Sequence, residues 1–126
     1  MALSFSELEK ALATLEESIQ LYEAAKSESP EKKAFSDASI QRFEYLIELS
    51  WKISLKHLGS KVSAAKPAIR EMARNNLIQN PEDWLLFIDA RNDTSHSYDE
   101  EVAKRVFDRA KRLPLEVKKL LAELKK

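Results

Sequence analysis

The sequence predicts an all-α fold, an antiparallel four-helix up-and-down bundle with additional short helices. Apolar residues recur at steps of three and four along most of the chain, which is the period of a helix. No run of alternating β-branched residues competes with that period. With one glycine in 126 residues, the chain also has little material for tight hairpins. We expect residues 1–126 to form a single helical domain.

The first predicted helix runs from about Phe5 to Lys26. Ser4 and Glu7 have the spacing of a capping box, in which each side chain accepts a backbone N–H at the start of a helix. The segment 27–30, which closes with a proline, ends the helix. One apolar stripe marks the face expected to meet the core, formed by Phe5, Leu8, Leu12, Leu15, Ile19 and Tyr22.

The second predicted helix, from about Lys32 to Leu58, is apolar over an unusually wide arc. Such a helix is buried either by more than one neighbour or by a second subunit. Gly59 stands where a left-handed residue ends a helix, and His57 lies in the last turn, where we interpret it as structural. The wide arc contains one stripe of Ile40, Phe43, Ile47, Trp51, Leu55 and Leu58 and a second of Leu46, Leu49 and Ile53.

Shorter helices are predicted after this pair, most of them beginning at a proline. Pro67 opens a third helix that ends near Asn75, and Pro81 opens a fourth. A fifth begins near Asp99 and a sixth at Pro114. The apolar faces of the last three contain Trp84, Phe87 and Ile88, then Val102, Val106, Phe107 and Ala110, then Val117, Leu120, Leu121 and Leu124.

The composition excludes several classes of protein. Cysteine is absent, which rules out disulfides and thiol chemistry, and two histidines are too few for a histidine-built metal site without carboxylates. We expect no cofactor. No apolar run approaches the roughly 18 residues of a membrane span. The start, MALSFSELEK, lacks the basic and then apolar pattern of a signal peptide. We therefore expect a cytoplasmic protein with no membrane partner.

The charges balance overall but are unevenly placed. The formal net charge is zero, yet residues 1–31 carry seven acids against two lysines, and residues 100–126 carry nine bases against five acids. A zero total argues against tight, non-specific binding of nucleic acid. We interpret the two charged ends as solvated helix faces, with a local basic patch as the alternative.

One polar stretch, from Arg91 to Tyr98, has residue types suited to chemistry. Arg91 follows Phe87 and Ile88 at helical spacing, so it continues the inward face of the fourth helix. On an unbroken helix His96 would lie about 500° further round, which leaves it about 140° from Arg91. The Asn, Asp, Thr and Ser residues between them favour turns and caps. A break there would let the two side chains converge, within one chain or with their copies across a two-fold axis.

The pairing of an arginine with a histidine suits cleavage of RNA through its own 2′-hydroxyl. Histidine can take or give a proton near neutral pH, and arginine can hold a phosphate and stabilise the charge that develops on it. The alternative is an inter-helix turn in which the arginine ties down carbonyl oxygens. The spacing alone favours that structural interpretation, because R-x4-H is a loose pattern.

The segment RNDTSHSY, from Arg91 to Tyr98, resembles the R-x4-H-x-Y signature of HEPN-domain proteins. It is most similar to the branch called nucleotidyltransferase substrate-binding proteins. The resemblance extends over Trp84 to Glu100, over residues 67–78, and over the first helix and the Phe-Glu-Tyr at 43–45. It covers essentially the whole chain without a large insertion or deletion.

The resemblance implies a homodimeric bundle with both motifs at the interface. It also implies a partner, a minimal nucleotidyltransferase (MNT), in a toxin–antitoxin pair. In such pairs the HEPN protein is a metal-independent ribonuclease, and the MNT protein silences it by attaching AMP to the motif tyrosine. Carried over, Arg91 and His96 are the ribonuclease pair, Asn92 is the supporting polar residue and Tyr98 is the adenylylated position.

Two other functions remain open at this point. One is a non-catalytic substrate-binding subunit of a two-component nucleotidyltransferase, and the other is a bare helical dimerisation module. The intact Arg91, His96 and Tyr98 favour the ribonuclease over the dimerisation module, but they do not separate it from the substrate-binding subunit. A neighbouring gene that encodes an MNT protein would exclude the dimerisation module.

Overall fold

A computed structural model describes residues 4–126 of the chain, and this part is helical with no β-strand. The all-α prediction is therefore confirmed. A 3-10 turn, Asp93–His96, separates the fourth helix from the fifth. The α-helices are α1 (Ser6–Ala24), α2 (Pro30–Leu58), α3 (Ala65–Arg74), α4 (Pro81–Asn92), α5 (Glu100–Ala110) and α6 (Leu113–Leu124).

The two longest helices, α1 and α2, pack as an antiparallel pair. Tyr45 donates a hydrogen bond to the Glu7 carboxylate (2.9 Å) near the start of α1. Further along, Ser39 donates to the hydroxyl of Ser18 (2.8 Å), a contact that is buried between the helices. The later residue of α1 pairs with the earlier residue of α2, so the two helices run in opposite directions, as expected for the predicted antiparallel bundle.

The predicted capping box at the start of α1 is wrong. Phe5 is the N-cap residue, and no side chain caps the helix. The Ser4 hydroxyl accepts from the backbone N–H of Ser6 (3.3 Å), but Ser4 lies one residue before the N-cap position. Glu7 is drawn to Tyr45 instead, and the hydrogen bond raises the pKa of the Tyr45 phenol above its ordinary value. A contact between helices thus replaces the local one.

The wide apolar arc of α2 is covered by the chain's own helices. Leu46 and Ile53 of the second stripe are buried, and Leu49 packs partly buried against the core. The helices that contact α2 are α1, α3, α4, α5 and α6. Of the two alternatives for this arc, burial by several neighbours is the correct one. The stripe therefore does not by itself require a second subunit.

The ends of the helices follow local chemistry, and several lie one or two residues from the predicted bounds. Helix α2 begins at Pro30, two residues before the predicted start. The Ser29 hydroxyl caps it by accepting from the backbone N–H of Lys32 (3.1 Å). Gly59 ends it in the predicted left-handed conformation, with φ of 66°. Helix α3 begins at Ala65, two residues before the predicted start.

The predicted core faces of the last three helices are also found, with Trp84, Val106 and Leu120 fully buried. Val102 is only partly buried, against the edge of the core. No helix in residues 4–126 is long and apolar enough to cross a membrane. The prediction that no signal peptide is present depends partly on Met1–Leu3, which lie outside the described residues.

Candidate functional site at the end of α4

The site forms where the chain leaves α4. The helix ends at Asn92, and the following four residues tighten into the 3-10 turn. The Thr94 hydroxyl donates to the carbonyl oxygen of Arg91 (2.8 Å), which satisfies a carbonyl group near the end of the helix. The break predicted from the polar residues is confirmed. Helix α2 contacts α4, the 3-10 turn and α5, and so supports the elements that form the site.

Arg91 is fixed against α2. Its Nε lies 2.7 Å from a carboxylate oxygen of Glu48, and its side chain is 34% exposed. This contact is an ion pair without a hydrogen bond, because the buried Nε has no hydrogen-bond partner of acceptable geometry. The second oxygen of Glu48 lies 3.5 Å from Lys52 Nζ. Arg91 is therefore held at its Nε by one carboxylate that a neighbouring lysine also approaches.

Arg91 does not hold a turn together by donating hydrogen bonds to backbone carbonyl oxygens. In residues 4–126 no hydrogen bond joins its guanidinium to a backbone carbonyl. Its partner is the carboxylate of Glu48, and the approach at Nε leaves the terminal nitrogens without a protein hydrogen bond in that same range. A guanidinium held at one edge can present its other edge to an anion.

His96 and Tyr98 lie at the open side of the turn. Both side chains are exposed, Tyr98 to 85%. Their ring centroids are 6.3 Å apart with the planes at 66°, an edge-to-face arrangement. With its ring exposed, Tyr98 does not anchor the start of α5. That anchor is Asp99, whose carboxylate accepts from the backbone N–H groups of Glu101 (2.9 Å) and Val102 (3.3 Å).

The turn is tied to α5 by a second contact. Asp93 lies 3.6 Å from Arg105 of α5, in an ion pair between partly exposed side chains. Asn92, the predicted supporting residue, is exposed at the end of α4. The structure therefore brings together two pairs, Arg91 with Glu48 just before the 3-10 turn and His96 with Tyr98 at its end. It does not join Arg91 directly to His96.

Glu48 is the site residue that the sequence analysis missed. It belongs to a different helix, and its spacing from Arg91 in the sequence carries no signal. The available clue was local, since Glu48 lies among Leu46, Ile47 and Leu49 inside the apolar arc of α2. A carboxylate at such a position usually has a partner, because burial without one is costly.

The arrangement places an exposed imidazole and a fixed cation near the two ends of one short turn. An exposed imidazole can reach a proton on a bound molecule, and the guanidinium can stabilise a phosphate next to it. Among residues 4–126, no three His, Asp or Glu side chains gather into a group that could hold a metal ion.

Known proteins resemble this chain in sequence and in fold. The family profile described as "Nucleotidyltransferase substrate binding protein like" matches residues 3–126. A protein of Haemophilus influenzae named "Probable ribonuclease HepT" is 33% identical over 95 residues, which are 69% of this chain. The aligned part spans 65% of that protein's length.

Two solved structures have the same fold. A Thermus thermophilus protein, ttk003001694, has a TM-score of 0.80 and 32% identity, over 94% of this chain and 99% of that one. The H. influenzae protein HI0074 has a TM-score of 0.83 and 26% identity, over 98% of this chain and all of that one. Its structure is described as revealing the fold of a substrate binding domain of a nucleotidyltransferase. The chain belongs to the nucleotidyltransferase substrate-binding protein family of HEPN domains.

Proposed function

We propose that this chain is a HEPN ribonuclease toxin that cuts RNA without a metal ion and is silenced by an MNT partner. The observation that carries the proposal is the site itself, in which the exposed His96 and Arg91, held by Glu48, lie near the two ends of one short turn. The named relative, a probable ribonuclease, supports it. The proposed site of action is the cytoplasm, where RNA is available as substrate.

The proposed reaction uses the 2′-hydroxyl of the substrate as nucleophile. His96 removes its proton, the 2′-oxygen bonds to the adjacent phosphorus, and the bond from phosphorus to the 5′-oxygen breaks. The leaving oxygen takes a proton from solvent. Arg91 stabilises the extra negative charge on the phosphate during this step. The products are a 2′,3′-cyclic phosphate and a 5′-hydroxyl.

The active species proposed here is a homodimer with the two motifs at the interface. The family resemblance and the exposed position of the site support the dimer. The second apolar stripe of α2 does not, because the helices of the same chain cover it. We expect an apolar contact that buries more than about 2,000 Å² in total, the size of an obligate interface. A fully active monomer at micromolar concentration in sedimentation would exclude this part of the proposal.

Tyr98 is the proposed point of control. Its exposed hydroxyl is accessible to a partner enzyme. Deprotonated in the MNT site, its oxygen would attack the α-phosphate of ATP and release pyrophosphate. The attached AMP would place a phosphate and a base beside the His96 ring, which the Tyr98 ring already contacts. The added negative charge would also compete for Arg91, as a phosphoryl group does. Inhibition would need no refolding.

Inducible expression tests the proposal in cells. The wild-type chain expressed alone should arrest growth, and co-expression of the MNT protein encoded beside it should restore growth. His96→Ala should be harmless in both settings. A His57→Ala variant is the matched control, because His57 is also exposed but lies at the far end of α2. Arrest that persists in His96→Ala would exclude catalysis by this residue.

The second candidate function is a non-catalytic substrate-binding subunit of a two-component nucleotidyltransferase. The family description and the description of HI0074 favour it. Under this alternative the chain alone would be harmless and would not cut RNA. It would instead increase the activity of the MNT partner on a third molecule. The expression experiment therefore separates the two candidates.

A further inference from the structure

The basic residues near the C-terminus fall into two groups with different surroundings. On and after α6, every lysine has an acidic partner. Two of these ion pairs reach across to α1, Lys118 with Glu16 (2.7 Å) and Lys125 with Glu9 (3.2 Å). The other two lie within α6 and its end, Lys119 with Glu116 and Lys126 with Glu123. The acidic first helix thus neutralises two of these lysines, and carboxylates of α6 neutralise the other two.

The bases of α5 and the turn after it are not neutralised in this way. Residues 104–112 carry five bases and one acid. Arg105 lies near Asp93 (3.6 Å) and Lys111 near Asp108 (3.4 Å). The other three, Lys104, Arg109 and Arg112, make no ion pair with any residue of 4–126. We call the surface formed by Lys104, Arg105, Arg109 and Arg112 the α5 ridge.

The α5 ridge begins at the candidate site and leads away from it. Helix α5 starts directly after Tyr98 and the N-cap residue Asp99. Arg105 contacts the 3-10 turn through its ion pair with Asp93. Arg105 and Arg109 are one turn apart, so they share a face. From Arg105 to Arg112 the chain advances roughly 10 Å at a helical rise.

A shallow hollow along the ridge is lined only by charged side chains. Its volume is ≈ 440 Å³, and the two acids in its lining are Glu101 and Asp108 beside the four bases of the ridge. A protein-binding surface normally has an apolar or aromatic centre, with charge kept to its rim. Unpaired arginines without an apolar centre suit a phosphate backbone instead, because guanidinium groups match phosphate oxygens.

We propose that the α5 ridge binds the phosphate backbone of the RNA substrate on one side of the scissile bond. This inference rests on the proposed ribonuclease function and adds the path of the strand, from the His96 turn along α5. The ridge also explains how a chain with zero net charge can hold RNA. The favourable charge is concentrated beside the site, while carboxylates of α1 and α6 neutralise the lysines on and after α6.

The test is the binding of a fluorescent single-stranded RNA across a range of NaCl concentrations. Full-length chains are compared in a His96→Ala background, so that cleavage does not interfere. The ridge variant is Arg109→Gln with Arg112→Gln. The matched control, Lys118→Gln with Lys119→Gln, removes the same charge from α6. Circular dichroism and thermal melting check that both double variants are folded.

The ridge variant should lose about tenfold or more in affinity, and its salt slope should fall by about 1.4, as expected for two lost phosphate contacts on a single strand. The control should bind like its parent. An equal loss in both double variants, or none in the ridge variant, would overturn the ridge assignment while leaving cleavage by the wild type intact. Weaker binding of the MNT protein with unchanged RNA binding would also overturn it, and would assign the ridge to the protein partner. If the wild type neither binds nor cuts RNA, the proposed function fails first.

Discussion

The two ends of the motif segment have different surroundings. Arg91 lies at the end of α4, one-third exposed, with its Nε buried against Glu48 of α2. His96 ends the 3-10 turn and Tyr98 follows it, and both side chains are exposed with their rings edge to face. The difference separates two tasks. Under the proposed function, the cation is held in place before a substrate arrives, whereas the proposed base and the tyrosine stay accessible to RNA and to a modifying partner.

Arg91→Ala should have the largest effect, because it removes a cation that is packed against Glu48 and that the proposed reaction uses. We expect the rate of RNA cleavage to fall by roughly 10²-fold or more. The free energy of unfolding should also fall by roughly 1 kcal/mol, since Glu48 loses its ion pair in a partly buried position. Cleavage assays and urea titrations measure the two effects. His96→Ala is the contrast, with a similar loss of rate and no loss of stability. An equal loss of unfolding free energy in Arg91→Ala and His96→Ala would contradict the contrast between a packed arginine and an exposed histidine.

Glu48→Gln tests whether the brace on Arg91 matters for the reaction. The substitution keeps the shape of the side chain but removes the charge that holds Nε. We expect kcat to fall by about tenfold because the guanidinium is no longer fixed, with a smaller change in KM. Glu44→Gln, one turn earlier on α2, is the matched control and should leave kcat unchanged. A Glu48→Gln enzyme with normal kcat would show that Arg91 needs no support from α2.

Asp99→Ala tests the anchor that keeps the turn attached to α5. The carboxylate accepts two backbone N–H groups at the start of the helix. Losing it should cost about 1 kcal/mol, or about 4 °C in melting temperature. Asp99→Asn can still accept from the backbone, so it should recover most of that stability. If both variants melt like the wild type, the cap contributes nothing measurable.

Tyr98→Phe should have the smallest effect on the chain alone. The ring keeps its edge-to-face contact with His96, so melting temperature and cleavage rate should stay close to the wild type. With the MNT protein, ATP and Mg²⁺, the wild type should gain the mass of AMP at Tyr98 and lose cleavage. Tyr98→Phe should gain none and stay active in the presence of the partner. A Tyr98→Phe chain that is still modified and silenced would place the switch on another residue.

Much of the fold follows from local patterns in the sequence. The stripe on α1 is the helical period itself, Pro81 opens α4 where its missing N–H costs nothing, and Gly59 supplies a left-handed end to α2. The break after Asn92 follows from residues whose side chains compete with the helix for backbone hydrogen bonds. Each of these features depends on residues that are neighbours in the sequence.

The features that were missed depend on contacts between distant segments. Glu48 pairs with Arg91 only because α2 and α4 pack together, and no local pattern marks it. Ser4 and Glu7 have the spacing of a capping box, but Tyr45 of α2 takes the Glu7 carboxylate. Tertiary contacts decided each of these cases.

Cleavage of a single-stranded RNA in the presence of EDTA tests the central claim most directly. The wild-type chain and His96→Ala are compared at equal concentration, and the product ends are identified by mass spectrometry. We predict that the wild type yields 2′,3′-cyclic phosphate and 5′-hydroxyl ends with EDTA present, and that His96→Ala is slower by about 10²-fold or more. Wild-type cleavage that stops in EDTA, or full activity in His96→Ala, would contradict the account.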